Sequence, residues 1–455
     1  MHNCFGYRKA RIQVSFVGLV RNIEMGYMSN IVYLLGAGVN QSITDWDGLS
    51  PPMIKNFFQI ALKKRKFSNS HYTERVNIVY EYIEKYWKKT LQDLVRNPFD
   101  LEECFTLLEL QASRAYQKND EEYKKLMQTQ FLLKSFIAEV LSEFETFVSS
   151  SDIMRSFGKV LIEERPTILT FNYDCFIEKA IESASGLSHP PPDLGERMRA
   201  EVIEGAEVSD EELAYSHHNW NRPLGYGMTF DKVQLHRAGI SVYVEGTRFY
   251  SHPQNKLYSP PLLKLHGSLN WFRYLPIYTF PIFPGQEAPQ LGEKENQIIL
   301  VDPLARWWFA EPPTLDNWII DPIIITPTLY KEKFIEWSIF ESIWKKAKDA
   351  LSECKRLIMI GYSFSPTDFT TKQLFLEALS NHDIEQLIIV NPDPSVAEVA
   401  KNLCHFKKKV VTYKNLNEYL VKEPGLPKSA QANYLLHRRI HTLRKQKKTK
   451  ENERK

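Results

Sequence analysis

Five short apolar runs in this chain each stop abruptly on glycine or on a small polar cluster. They read IVYLLGAG at 31–38, TILTFNYD at 167–174, LLKLHGS at 262–268, LIMIGYSFSPTD at 357–368 and LIIVNPDP at 387–394. Continuous apolar runs of this length, without alternation, fit strands covered on both faces. Between them lie segments with helical spacing. Strand, polar turn and helix in repetition predict an α/β fold built on a doubly wound parallel, Rossmann-like sheet. In such sheets ligands bind beyond the carboxyl ends of the strands. Every motif quoted above sits at one of those ends.

Two segments interrupt the rhythm. Residues 53–150 read as a large helical insertion between the first two strands. Val76, Tyr80, Ile83, Trp87, Leu91 and Leu94 recur every three or four positions, and Phe131, Phe136, Val140 and Phe144 fall near one face. Asp100, with Glu103 three residues on, predicts a helix start with a capping box. Residues 186–262, rich in Pro, Gly, His and Tyr, read as a small irregular lobe with short strands such as ISVYVEG. PIIITP at 322–327 reads as one more strand, a helix is predicted from about 331 to 352, and KKVVTYKNLNEYLV at 408–421 closes the sheet. The organisation expected is a leader over 1–28, a nucleotide-binding catalytic domain over 29–425, and a basic, disordered tail over 426–455.

The 455 residues suffice for one large core or for several domains. No apolar run reaches the roughly 18 residues that a membrane-spanning helix needs, and the apolar patch near the start is not followed by a small-residue cleavage site. Five cysteines, odd in number and without a C-x-x-C pair, exclude a disulfide framework and point to a reducing, cytoplasmic compartment. The net charge of +3 is concentrated at the end: residues 437–455 carry nine Lys/Arg against two Glu. Such a run is a solvated tail that could touch nucleic acid, although no aromatic residue is interleaved with the charges for base stacking.

The chemistry is carried by a few side chains. Gly36-Ala37-Gly38 could be a plain turn or a loop whose backbone approaches a diphosphate. The full G-x-G-x-x-G fingerprint is absent, which weakens an ordinary dehydrogenase reading. His266 is either a hydrogen-bonded core residue or, as a neutral imidazole, a base for a ribose hydroxyl. Asn172 cannot titrate and can orient water or a sugar hydroxyl, while Asp174 can accept from a carboxamide N–H₂. This set suits cleavage of an N-glycosidic bond better than hydride transfer.

In their order and placement the motifs LLGAGVNQS, LTFNYD, LLKLHGS, MIGYSFSPTD and IIVNPDP make the chain resemble sirtuin-like proteins over roughly 30–415. The resemblance implies that Gly36, Ala37, Gly38 and Asn40 contact the diphosphate of NAD+, that Gly361 and Ser363 contact a ribose or phosphate, and that Asn391 lies near the adenosine. It also implies catalytic roles for Asn172, Asp174 and His266, with Phe171 and Tyr173 turned back into the core. The deacylase branch carries four zinc cysteines between its His-Gly and Gly-x-Ser motifs. Here 267–360 holds only Cys354, so no metal is expected. The closer likeness is to the bacterial antiphage branch, which hydrolyses NAD+ to nicotinamide and ADP-ribose. That implies a homo-oligomer, with a partner such as a HerA-like ATPase or an Argonaute-like protein. A protein ADP-ribosyltransferase or deacylase using the same pocket, and a non-catalytic nucleotide-binding scaffold, stay open as alternatives.

Overall fold

A computed structural model describes residues 30–64, 70–116, 118–185, 208–214, 220–237, 240–258, 261–274, 292–301, 314–315, 318–326, 338–365 and 368–428. The leader, the tail beyond 428 and parts of the 186–262 lobe lie outside the described residues.

The core is a six-stranded parallel sheet. In chain order its strands are β1 (Ile31–Leu35), β2 (Thr167–Thr170), β5 (Leu262–Lys264), β10 (Arg356–Ile360), β11 (Gln386–Val390) and β12 (Val411–Tyr413). Across the sheet they run β12-β11-β10-β1-β2-β5, with every pairing parallel. Ranked by their order in the chain this is 3-2-1-4-5-6, the dinucleotide-binding order, with its switch point between β1 and β10. The inner strands are mostly apolar because helices cover both faces: Val32, Tyr33, Leu34, Leu35, Leu357 and Ile358 are all fully buried.

The segment between β1 and β2 is helical, as its periodicity predicts: α1 (Phe57–Lys63), α2 (Ser70–Trp87), α3 (Leu91–Arg96), α4 (Leu101–Ala115), α5 (Asp120–Val148) and α6 (Asp152–Glu164). Asp100 does cap α4, its carboxylate accepting from the N–H groups of Glu102 and Glu103 at 2.9 and 3.4 Å. In place of closing the box, the Glu103 carboxylate accepts from Trp87 Nε1 of α2 at 3.0 Å. After β2 come α7 (Phe176–Ala184), α8 (Ser338–Glu353), α9 (Phe369–Leu379), α10 (Ser395–Leu403) and α11 (Leu416–Lys422). No helix among the described residues is long and apolar enough to cross a membrane. The four described cysteines, Cys104, Cys175, Cys354 and Cys404, are buried free thiols.

A second, mixed sheet is built from β3 (Lys232–Arg237), β4 (Ile240–Glu245), β6 (Gly267–Tyr274), β7 (Ile299–Leu300), β8 (Thr314–Leu315) and β9 (Trp318–Ile324), in the order β4-β3-β7-β6-β9-β8. Residues 322–324 of the run read as a strand at 322–327 thus belong here, antiparallel to β6, and not to the central sheet. An isoleucine-rich run reads alike in either sheet when both faces are covered. The chain passes from β5 of the first sheet into β6 of the second through Leu265-His266 alone. That two-residue link places His266 at the junction of the two sheets.

Candidate active site

At the switch point the loops after β1 and β10 touch backbone to backbone. Gly36 N–H donates to Ile360 O and Gly38 N–H to Gly361 O, each at 3.0 Å. A Cβ on Gly36 would lie 2.6 Å from Gly361 O, and one on Gly38 would lie 2.6 Å from Gly361 Cα. Gly361 itself has φ +64°, a conformation that disfavours any side chain. The glycines therefore answer first to the close approach of the two loops. The segment after β1 is a 3-10 turn, Ala37–Ser42, not an α-helix. Its Gly38 and Val39 N–H groups are already committed, to Gly361 O and to Gly36 O. A diphosphate here would rely on donors other than these two.

The turn after β2 is locked by its own side chains. Thr170 Oγ1 donates to Leu35 O at 3.2 Å and accepts from Asn172 N–H at 3.1 Å. Asn172 Nδ2 reaches Gly36 O at 3.3 Å, while its carbonyl oxygen has no hydrogen-bond partner among the described residues. Asp174 lies one residue before the N-cap Cys175 of α7, its Oδ1 accepting from Phe176 N–H at 3.1 Å, and its Oδ2 accepts from Asn40 Nδ2 at 2.7 Å. Both oxygens of Asp174 thus already serve the protein, fixing the Asn40 amide against the turn.

The neighbouring strand delivers His266 to the same place. β2 and β5 pair with Thr170 opposite Lys264, and Leu265 N–H continues the ladder to Thr170 O at 2.9 Å. The imidazole lies edge-on to the Phe171 ring, centroids 4.9 Å apart, and roughly parallel to the Tyr173 ring at 6.3 Å. Phe171 in turn stacks on Tyr362 at 4.7 Å. The two aromatics of FNYD turn into the core as expected, Phe171 as a buried member of it and Tyr173 packed against it, and both also flank the histidine. Asn172, Asp174 and His266 are only 6–7% exposed, so they are shielded from bulk water.

Asn172, Asp174, His266, Gly36, Gly38, Asn40 and Gly361 therefore converge. Ala37 lies on the exposed side of the first loop. Ser363 is exposed on the loop after β10. Asn391 acts one step away: its Nδ2 donates to Tyr362 O at 3.1 Å and steadies that loop. One residue that sequence reading passed over is Lys264, fully buried between the turn and α7. Its ammonium contacts Glu178 Oε1 at 2.8 Å and the Tyr173 carbonyl at 3.4 Å, and bonds the Asp174 carbonyl. The available signal was a lone charge inside an otherwise apolar strand, which must find partners.

Burial pushes the Asp174 carboxyl up to about 6, with Lys264 and the bonds from Phe176 and Asn40 opposing the rise. In the unfolded chain the group titrates near 4. Between these values the folded state holds more protons, so this group's contribution to stability is present below about pH 4 and is lost as the pH rises to about 6. The expected loss across that window is about 2–3 kcal/mol. Urea denaturation of the parent and of Asp174→Asn at pH 4 and pH 6.5 measures it: the variant should lack this part of the slope, and identical slopes would contradict the assignment.

Comparison with protein-family models and with curated proteins returns no match to this chain.

Proposed function

We propose that the chain is an NAD+ glycohydrolase that cleaves NAD+ to nicotinamide and ADP-ribose. One observation carries this reading: an amide, Asn172, and an imidazole, His266, leave adjacent parallel strands beside the switch point of a sheet with the dinucleotide-binding order. The resemblance of the five strand-end motifs points the same way. The glycosidic C–N bond breaks with its electron pair leaving on neutral nicotinamide, and an oxocarbenium-like ribose remains. Water attacks C1′, and His266 takes the proton from that water or from a ribose hydroxyl. The Asn172 carbonyl orients the water. Asp174 holds Asn40 and the turn, and its remaining lone pairs face the carboxamide. The loops at Gly36–Asn40 and Gly361–Ser363 hold the diphosphate and adenosine ribose, with Asn391 behind them.

The same reading makes the protein an antiphage effector acting as a homo-oligomer, kept in check by assembly or by a partner such as a HerA-like ATPase or an Argonaute-like protein. The test is nicotinamide release from NAD+ by the full chain, with its assembly state measured in parallel. His266→Ala and Asn172→Ala should each lower the rate about 10²–10⁴-fold. Parent-level turnover by either variant would end this mechanism. Label from NAD+ recovered on protein would favour a transferase, and tight NAD+ binding without turnover in the assembled state would favour a scaffold.

A further inference from the structure

The end of β9 touches both candidate catalytic loops and, one residue later, the helical insertion. Ile325 N–H donates to His266 O at 2.8 Å. The Tyr173 hydroxyl donates to Ile325 O at 2.9 Å. Ile325 thus clamps the histidine's backbone on one side and the FNYD turn on the other. Sheet pairing does not extend that far, since the β6–β9 ladder ends with Gly267 opposite Ile324. What fixes the overhang next is Thr326, whose hydroxyl donates to Glu109 Oε1 of α4 at 2.6 Å, both residues being buried. The same strand is held from α5 as well: Lys134 Nζ lies 2.6 and 2.5 Å from the two oxygens of Asp321, and Arg273 of β6 lies 3.7 Å from one of them. The insertion therefore grips β9 and its extension at two points, and the one at Thr326 is adjacent to the clamp.

We propose that Thr326 and Glu109 are positioning residues for His266 and the FNYD turn, so that the helical insertion sets the geometry of the candidate site through one buried hydrogen bond. A bond to a carboxylate is short and strong, and without it the Ile325 peptide is left at an unpaired strand end. Its two bonds to the catalytic loops then lose their fixed direction. Small misplacement of a reacting group costs rate far more than binding. A displacement of α4 and α5, whether from assembly or from a partner, reaches the imidazole by this route.

The inference rests on the NAD+ glycohydrolase reading for its kinetic arm only, and a second arm is independent of it. Thr326→Val removes the hydroxyl at nearly constant volume, and Thr326→Ser keeps it. Glu109→Gln keeps an acceptor, and Glu109→Leu does not. In nicotinamide release, Thr326→Val and Glu109→Leu should lower kcat about 10-fold with KM within about 2-fold, while Thr326→Ser and Glu109→Gln restore most of it. Thermal melts separate this from loss of folded protein. In the second arm, ¹³C-labelled histidine spectra of the full chain, with the His266 signal assigned by its absence in His266→Gln, should show that signal displaced in the Val and Leu variants and near its parent position in the Ser and Gln variants. Amide exchange of the peptide containing Ile325 should be faster in the same two. An unmoved His266 signal with unchanged Ile325 exchange overturns the proposal, whatever the chain does to NAD+. Displaced signals in the Val and Leu variants of a parent that shows no NAD+ turnover keep the structural link and remove only the glycohydrolase reading.

Discussion

Replacing Lys264 with methionine is expected to cost about 3–5 kcal/mol of stability, the range for removing one partner of a buried ion pair. Lys264 and Glu178 have side chains 0% and 1% exposed and meet at 2.8 Å. Around them a closed network forms: Tyr226 OH donates to Glu178 Oε1 at 2.9 Å, Asn270 Nδ2 donates to Tyr226 OH at 2.9 Å, and Ser268 Oγ donates to Asn270 Oδ1 at 2.6 Å. Burial alone would lower the lysine's pKa, but Glu178, Cys175 and Asp174 together outweigh it and leave the ammonium more firmly charged. Methionine fills the space yet strands the Glu178 carboxylate away from water, and it withdraws the donor from the two carbonyls of the FNYD turn. The double variant Lys264→Met, Glu178→Leu removes both charges and should recover much of the loss. Urea denaturation of the three proteins decides: a single variant within about 1 kcal/mol of the parent would show that the pair does not carry the charge assigned to it.

Gly361→Ala should be comparably severe, by about 3–5 kcal/mol, through a different cause. At φ +64° the added Cβ would sit 2.3 Å from Val39 N and 2.4 Å from Gly38 C. These are backbone atoms of the facing loop, so no rotamer change can relieve the overlap. The β1 and β10 loops must move apart, which disrupts the switch point itself. Gly48→Ala is the control. Gly48 has a similar φ of +77° but nothing lies within 4 Å of its added Cβ, so it carries only the conformational cost of about 1 kcal/mol. Equal melting temperatures for the two variants would rule out loop contact as the cause.

The central sheet was legible because most of its strands are mainly apolar runs ended by glycine or a polar turn, a pattern set by burial on both faces. The insertion was legible because helical periodicity needs no tertiary information. The second sheet was not. Its strands β7 and β8 are two residues each, below what alternation can reveal, and β9 carries the same isoleucines as a central strand. At the site, the pairing of β2 with β5 makes neighbours of Asn172 and His266, as their positions after consecutive parallel strands suggested. The meaning of Gly36, Gly38 and Gly361 could not be read in advance, because a phosphate loop and a backbone–backbone contact ask for the same missing Cβ. Thr326 and Glu109, 217 positions apart, offered no local signal at all. Their contact exists only once the insertion and the second sheet have docked.

The strand order also bears on when the switch point can form. β1 is flanked by β2 and by β10, and the loop that faces Gly36 and Gly38 is made only when translation reaches Gly361. At about 5–20 residues per second the ribosome takes tens of seconds to connect these two halves. Until then the first strand has half its ladder unmet, and the Phe171 ring beside the histidine lacks Tyr362, on which it stacks. A chain that ends before the fourth parallel strand therefore has no partner for the Gly36 and Gly38 backbone and no switch point.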